Sequence, residues 1–591
     1  VKKGMDKGWF GNIDLGLGPH DRWSGRFNIQ RFADGQQASI LSNMNSDGTR
    51  RNGQVGANLA YDFGDNLEVG GNIRYNGSRN KSWNKSNSQN FTYLDFPTFS
   101  NNYSNSKSHN NSVSGDFKIE WKLDSLTTIL FRPNFSFGNN DSWNTGNNAS
   151  FQKNDPYEYT FGDAHTIIDN PLDMTQFDAL PDSIKTNLSR SGGDSDGNSK
   201  SVRGNLLLNH RMMKPGRNMS VRLDANWSDD DNTNFNLNDV RYFQEDPRTH
   251  TKSPDQFLYR YRTSPNDSKG ITAGFTYSEP LLEGLALQLN YQFSHSRRTS
   301  DSRTYNMSYN DIEQNSADPY RNNRMFNQLR WQVQGLDSLR QFLLDNVGML
   351  PLNFDEMRDS LESVRLSNYS DDINNSHNME LSLRYNTEFI NATLGVQYQP
   401  QHQKIDYAKM GHDTIASRNY ARLTPTVNFR YRFTRQHSIR IQYRGNVSQP
   451  FITNLFDWTD DSNPMRISHG NPDLKPSFSH NVSLQYQNYV TARMQSYNAN
   501  VSFQTTSDNI SNRTQYIPET GKQETWPENI NGNWNINGSV GFSTPLFVER
   551  LMLNTNTNVG YRNNVSFLYQ NFETYKNTVK NTSVGERLSF T

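Results

Sequence analysis

The chain has 591 residues, with 60 basic against 60 acidic side chains and no formal net charge, so nothing points to nucleic acid or a strongly acidic partner. It has no cysteine, which excludes disulfides and thiolate metal sites. Only 33% of it is hydrophobic and mean hydropathy is −0.90, yet aromatics reach 12%, too many for a disordered chain. No run of about 18 apolar residues offers a membrane helix, and no signal peptide is visible. The first residue is Val1 rather than Met, with Lys2-Lys3 leading toward a strand. We read residues 1–591 as a segment of a longer precursor, truncated at both ends.

In chain order, Trp9 to Leu17 predicts a first strand, turned by Gly18-Pro19-His20-Asp21. Trp23 to Phe32, Ala38 to Asn45, Val55 to Phe63 and Leu67 to Tyr75 predict the next four, separated by Asp-Gly and Gly-Asp-Asn turn chemistry. A rhythm then sets in. Short turns fall at Leu123-Asp124-Ser125, Lys214 to Arg217, Glu279 to Gly284, Glu388 to Asn391, Thr434 to His437, Tyr489 to Arg493 and Thr544 to Arg550. Between them lie long polar connections, among them Asn144 to Lys200, Asp230 to Asp267, Ser296 to His377, Tyr407 to Arg418 and Trp458 to Ser477. Alternation of short and long connections is expected of an up-and-down barrel with tight periplasmic turns and extended outer loops.

The strands beside the short turns alternate strictly. In Thr426 to Ser448, Val427, Phe429, Tyr431, Ile439, Ile441 and Tyr443 share one face, and Arg430, Arg432, Arg440 and Arg444 the other. Met219 to Trp227, Leu285 to Phe293 and Tyr497 to Phe503 repeat the pattern. Each alternating segment is about 9–11 residues, the length of a tilted strand crossing a bilayer, and many end in Trp, Tyr or Phe as an interfacial girdle requires. A soluble all-β binding protein, with one wet face per sheet, is the competing reading. The expected fold is all-β: a large antiparallel transmembrane up-and-down barrel of about 20–22 strands. About 20 are counted, and one further hairpin is expected beyond Thr591. Residues 296–377 are expected to form a long extracellular loop. Within it, Asn322 to Leu366 carries apolar residues at helical spacing, so short helices are expected there, with a small inserted soluble domain as the alternative.

Three stretches carry a family resemblance. They are Lys7-Gly8-Trp9-Phe10-Gly11-Asn12 with Gly16-Leu17-Gly18, then Asn45-Ser46-Asp47-Gly48, and most specifically Gly470-Asn471-Pro472-Asp473-Leu474-Lys475-Pro476. With these the chain resembles the barrel portion of TonB-dependent receptors and the outer-membrane β-barrel proteins related to them. Ser477 stands where a Glu is usual. The resemblance implies a Gram-negative outer-membrane location and uptake of a nutrient ligand. It also implies a plug domain upstream or another lumen-filling component, an energy-coupling periplasmic protein, and a possible surface lipoprotein. A barrel serving as scaffold in a cell-envelope complex, without transport, is the second functional reading.

No G-x-S-x-G, H-E-x-x-H or phosphate-loop pattern occurs, so no enzyme, catalytic residue, cofactor or metal site is expected. Asp229-Asp230-Asp231 and Asp194 to Asn198 look superficially like calcium loops but lack the bidentate Glu. Arg222, Arg384, Arg430, Arg432, Arg440 and Arg444 are expected to line the lumen or face a plug. Val427, Phe429, Tyr431, Ile439, Ile441 and Tyr443 are expected to face outer-membrane lipid. Tyr259, Tyr261, Trp458 and Trp526 are candidate ligand contacts in outer loops, with packing of the loops against one another as the plainer role.

Overall fold

The computed structural model describes residues 7–33, 35–90, 98–152, 182–246, 251–252, 255–306, 362–409, 412–463, 466–517, 522–546, 551–570 and 573–590. The helical pattern expected from Asn322 to Leu366 lies almost wholly outside them, as does most of the loop expected at 296–377. Among the described residues no helix is long and apolar enough to cross a membrane, which says nothing about crossing by strands.

Twenty strands form one antiparallel sheet, from Gly8–Gly18 to Glu573–Phe590. Each strand pairs with the main-sheet strand before it and the one after it, so the topology is a simple up-and-down meander. Gly8–Gly18 and Glu573–Phe590 each pair on one side only, and no backbone pairing joins them among the described residues. The turns Leu123 to Leu126, Arg435-Gln436 and the single 3-10 turn Thr491–Arg493 are tight, as their sequences require. At the first, the Asp124 carboxylate accepts from the Leu126 and Thr127 amides at 2.7 Å each, which holds its pKa below the usual carboxylate range.

Register fixes two faces, because residues directly opposite each other in paired strands project to the same side. One row reads Leu287, Leu383, Leu394, Val427, Tyr443, Val482, Phe503, Ile536 and Tyr561. The row one residue away reads Ser382, Gly395, Thr426, Arg444, Asn481, Gln504, Asn535 and Arg562. The first face is apolar around the meander and the second polar. At the tight-turn end the apolar face finishes in Phe63, Trp121, Tyr385, Phe389, Phe433, Tyr497 and Phe590, all exposed. A second aromatic group, Phe503, Trp534 and Tyr561, stacks across strands with centroids 5.1–6.1 Å apart. Trp534 and Phe542 on one strand are separated by roughly 21 Å along the normal at a tilt of about 40°, close to the height of a barrel's apolar band.

The long connections depart from expectation. Six consecutive main-sheet strands between Leu67 and Leu282 are 24 to 27 residues long, whereas the first four are 11 to 14. At both ends of what composition marks as loop in Asn144 to Lys200, Asp230 to Asp267, Ser296 to His377 and Tyr407 to Arg418, the described residues are therefore largely hydrogen-bonded strand. Asn, Ser and Gly favour turns in isolation. Here the apolar hairpin below has already set the register, so extending the ladder needs no further loop closure. Side-chain ladders help, with Ser82 and Ser106 Oγ atoms 2.7 Å apart and Ser88 and Ser100 2.8 Å apart. At 3.4 Å per residue this side of the meander stands on the order of 35 Å beyond the length a bilayer crossing needs.

A smaller four-stranded sheet, Thr459–Asn463, Arg466–His469, Asn509–Ile517 and Lys522–Ile530, folds onto the polar face at that far end. Buried Ile405 and Tyr407 of the wall pack with Ile452 of the 3-10 turn Ile452–Leu455, flanked by Phe456 and Trp458. Lys409 Nζ donates to Asp460 at 2.7 Å, and Arg418 Nη2 to the Pro450 carbonyl at 3.1 Å.

Candidate functional site

The polar face of the main sheet gathers the charged residues, and its two halves differ. Over the first nine strands, bases sit beside acids. Asp14 lies opposite Arg26. Lys118 Nζ is 2.9 Å from both Glu68 and Glu120. Arg222 Nε is 2.6 Å from Asp224, which also receives Asn205 Nδ2 at 2.8 Å and has Arg203 at 3.7 Å. The sequence shows Arg222 and Asp224 two apart, hence on one strand face, so this pairing was legible.

From Asn368 onward the balance changes. Arg430 and Arg440 are direct cross-strand partners, followed along the same row by Gln485, Asn500 and Ser539. Arg430 Nη2 donates to Ser438 Oγ at 3.2 Å, and Arg440 Nε to Asn428 Oδ1 at 3.0 Å. Arg384 sits in the next row, opposite Ala286 and Thr393. Arg444 lies opposite Thr426 and Arg432 opposite Ser438. Among the described residues, none of these five arginines pairs with a carboxylate. Arg562, opposite Asn535, and Arg587, opposite Asn556, share the same face. Residue alternation in the last hairpin is the sequence signal that marks both. Glu380, which accepts from Asn290 Nδ2 at 3.2 Å, lies on the same face. A concavity on this face is lined by Glu380, Thr426, Asn428, Gln442 and Arg444.

The six apolar residues of the Thr426 to Ser448 hairpin share the opposite face, in the register Val427 to Tyr443, Phe429 to Ile441 and Tyr431 to Ile439. The four aromatic candidates scatter. Tyr259 and Tyr261 belong to strand Gln256–Leu282 rather than to a loop. Tyr259 is the backbone partner of Leu237. Tyr261 lies on the same sheet face as Phe275 and Ile271, its ring 4.6 Å from Phe235. Trp458 donates Nε1–H to the Thr453 carbonyl at 3.1 Å and has Lys409 Nζ 4.2 Å above its ring. Trp526 is stacked on His469 at 4.5 Å and 4°, with the Arg513 guanidinium 4.4 Å away. The structure does not bring the four together.

The proline-rich motif joins the small sheet to the wall. Asn471 Nδ2 donates to the Pro527 carbonyl at 2.8 Å, Lys475 N to Asn529 Oδ1 at 2.7 Å, and Asn529 Nδ2 to the Lys475 carbonyl at 3.0 Å. Leu474 is buried, and a Cβ on Gly470 would lie 1.7 Å from the Phe456 carbonyl oxygen. The Asp-rich segments Asp194 to Asn198 and Asp229-Asp230-Asp231 lie inside strands rather than in calcium-binding loops. Among the described residues no group of three or more His, Asp or Glu is placed to hold a metal ion.

Residues 368–591 match the outer membrane protein beta-barrel family. No curated protein matches the sequence. Solved structures with a similar course include the outer membrane transporter YddB from Escherichia coli, at 9% identity and a TM-score of 0.43, covering 92% of this chain and 61% of that one. Another is FpvA of P. aeruginosa bound to heterologous pyoverdines, at 11% identity and a TM-score of 0.40, covering 98% and 71%. A third is the ferric yersiniabactin uptake receptor FyuA from Yersinia pestis, at 10% identity and a TM-score of 0.37, covering 98% and 79%. The chain thus spans about three fifths of the length of the first of these. Likenesses this distant say nothing of ligand or activity. Over residues 368–591 the chain thus matches an outer membrane β-barrel family, and the 20-stranded meander carries the same apolar and polar faces through the strands before them, both features of a protein of the Gram-negative outer membrane.

Proposed function

We propose that the chain is the barrel of a TonB-dependent-receptor-like transporter that takes up a nutrient ligand, and not a catalyst. The apolar rows face lipid and the polar rows face the lumen, so Val427, Phe429, Tyr431, Ile439, Ile441 and Tyr443 contact acyl chains. Arg222, Arg384, Arg430, Arg432, Arg440 and Arg444 then point inward. The observation that carries the reading is the opposed, carboxylate-free pair Arg430 and Arg440 on that inner face. Like charges directly opposite each other destabilise a sheet, so their placement is understandable if an anionic group meets them. A lumen bounded by some twenty strands is wide enough to need filling, as in 22-stranded transporters with plugged lumens. An acidic surface on a plug, or on another lumen-filling component, would supply charge-assisted hydrogen bonds to these guanidiniums. An energy-coupling periplasmic protein would then move that plug, and the tall side of the wall offers a surface lipoprotein a rim to sit against.

The test is electrical. Inserted into planar bilayers, the chain is expected to form a wide, water-filled pore that prefers anions, its reversal potential in a KCl gradient shifting toward cations in Arg430→Gln and Arg440→Gln. A bilayer that stays silent despite proven insertion removes the uptake reading and leaves that of a scaffold.

A further inference from the structure

On the apolar face, hydrophobic residues give way to cations within two rows. In strand Leu67–Asn90 that face presents Leu67, Val69, Ile73 and Tyr75, and then Arg79, Lys81, Trp83 and Lys85. The cations cluster across strands. Arg79 lies opposite Arg51 on one side and His109 on the other. Lys81 lies opposite Lys107, whose Nζ stands 4.7 Å above the Trp143 ring. Arg51 is held by Asp21 at 2.5 Å. Arg79, Lys81 and Lys107 pair with no carboxylate among the described residues. Beside them Trp83 is 70% exposed, a bare indole in the middle of the patch. Farther along the wall the same face is acidic, with Asp229 taken by Lys200 and Asp267 by Lys269. The patch is therefore local, not a general solubilising coat.

Its height matters. Arg79 is about 29 Å above Leu67 along the normal for a strand tilted near 45°, just clear of an apolar band about 25 Å tall. This is where lipid headgroups meet the wall. Guanidinium and ammonium groups pair strongly with phosphate oxygens.

We propose that Arg79, Lys81 and Lys107, grouped around Trp83, hold the phosphate groups of outer-leaflet glycolipid. The site rests on the lipid-facing assignment made above. Opposed cations that would repel each other in water become complementary once phosphates lie between them, and the Trp83 ring, about 10 Å beyond Arg79 along the normal, lies against the sugars above the phosphates.

The experiment uses the whole chain in detergent, with native mass spectrometry of retained diphosphoryl lipid A and of its dephosphorylated form. Combining Arg79→Ser, Lys81→Ser and Lys107→Ser is expected to weaken retention of the diphosphoryl lipid about fivefold per cation removed. Dephosphorylated lipid A is expected to bind wild type and variant equally weakly. Heat-modifiable gel migration verifies that the variant is folded. Because the chain has no cysteine, nitroxides attached to Tyr75→Cys and Asn76→Cys report the faces separately. A nitroxide at 75 seen by oxygen and one at 76 seen by a water-soluble relaxant uphold the lipid-facing assignment. With that result, unchanged retention of diphosphoryl lipid A by the triple variant overturns the phosphate site alone. The inverted nitroxide pattern overturns the assignment of the faces and the site with it.

Discussion

Replacing Ile441 by Arg puts a charge among lipid tails if the faces are as assigned. The residues on its side of strand His437–Ser448 are His437, Ile439, Ile441, Tyr443, Gly445 and Val447. Ten residues at 3.4 Å, tilted about 40°, rise about 26 Å, the height of the apolar band. Ile441 is four residues up, about 10 Å from the lower rim and within a few Å of the midplane. Its cross-strand neighbours Phe429 and Leu484 are apolar and offer no counterion. Arginine at the midplane of a barrel's lipid face costs about 2–4 kcal/mol, a factor of about 30 to 900 in the folding equilibrium. The assay is reversible urea titration of folding into phosphatidylcholine vesicles. Arg440→Gln, one residue away on the other face, is the control: it relieves the repulsion with Arg430 and is expected to leave assembly intact and to stabilise by no more than about 1 kcal/mol. If Ile441→Arg is neutral while Arg440→Gln stabilises by more than about 2 kcal/mol, the two faces have been exchanged and the account of the lumen fails with them.

Three further outcomes are expected. Arg430→Gln relieves its repulsion with Arg440 and should stabilise the isolated barrel by about 0.2–1 kcal/mol in the same titration; a loss of stability instead means the two guanidiniums are not in contention. Gly470→Ala drives a methyl into the Phe456 carbonyl and should cost about 3 kcal/mol, the upper end of overpacking, read as faster protease cleavage within 449–476; unchanged cleavage shows that the small sheet does not depend on this contact. Asp47 should titrate at about 2, because its carboxylate accepts from the Arg50 amide at 2.6 Å and from the Thr49 hydroxyl and amide. Its folded pKa is depressed, so its support of the outer turn is present above about pH 4 and is lost as pH falls toward 2. A carboxyl resonance that titrates near 4 refutes this.

The hairpin Thr426 to Ser448 was readable because its side chains alternate without a break and its turn is short. The structure returns its faces and its register. The same logic counted the strands. It failed higher up the wall, where Thr98 to Asn111 and Asn139 to Ser150 are dominated by Asn and Ser on both faces. With no period in hydropathy, pattern reading had nothing to detect, and turn propensity took over. The ladder continues there because the neighbouring strand is already aligned, a cause that no local window contains. Trp526 shows another limit. Its partners His469 and Arg513 come from separate hairpins, so only the tertiary arrangement reveals that the ring is sandwiched by protein.

The distribution of charge on the polar face points to what fills the lumen. Were the arginines there only to keep a wide interior wet, acids and amides would serve equally, and bases would be spread evenly around the wall. They are not. Over the first nine strands each cation named has an acid close by, as with Lys118 between Glu68 and Glu120 and Arg222 beside Asp224. From Arg384 to Arg444 the guanidiniums meet hydroxyls and amides, and two of them meet each other. The first half thus neutralises most of its charge within itself, while the second carries an electrostatic debt that an anionic surface in the lumen would cancel. An acidic plug face seated against strands Asn368 to Ser448 would leave the self-neutralised half as the side along which a passage could open.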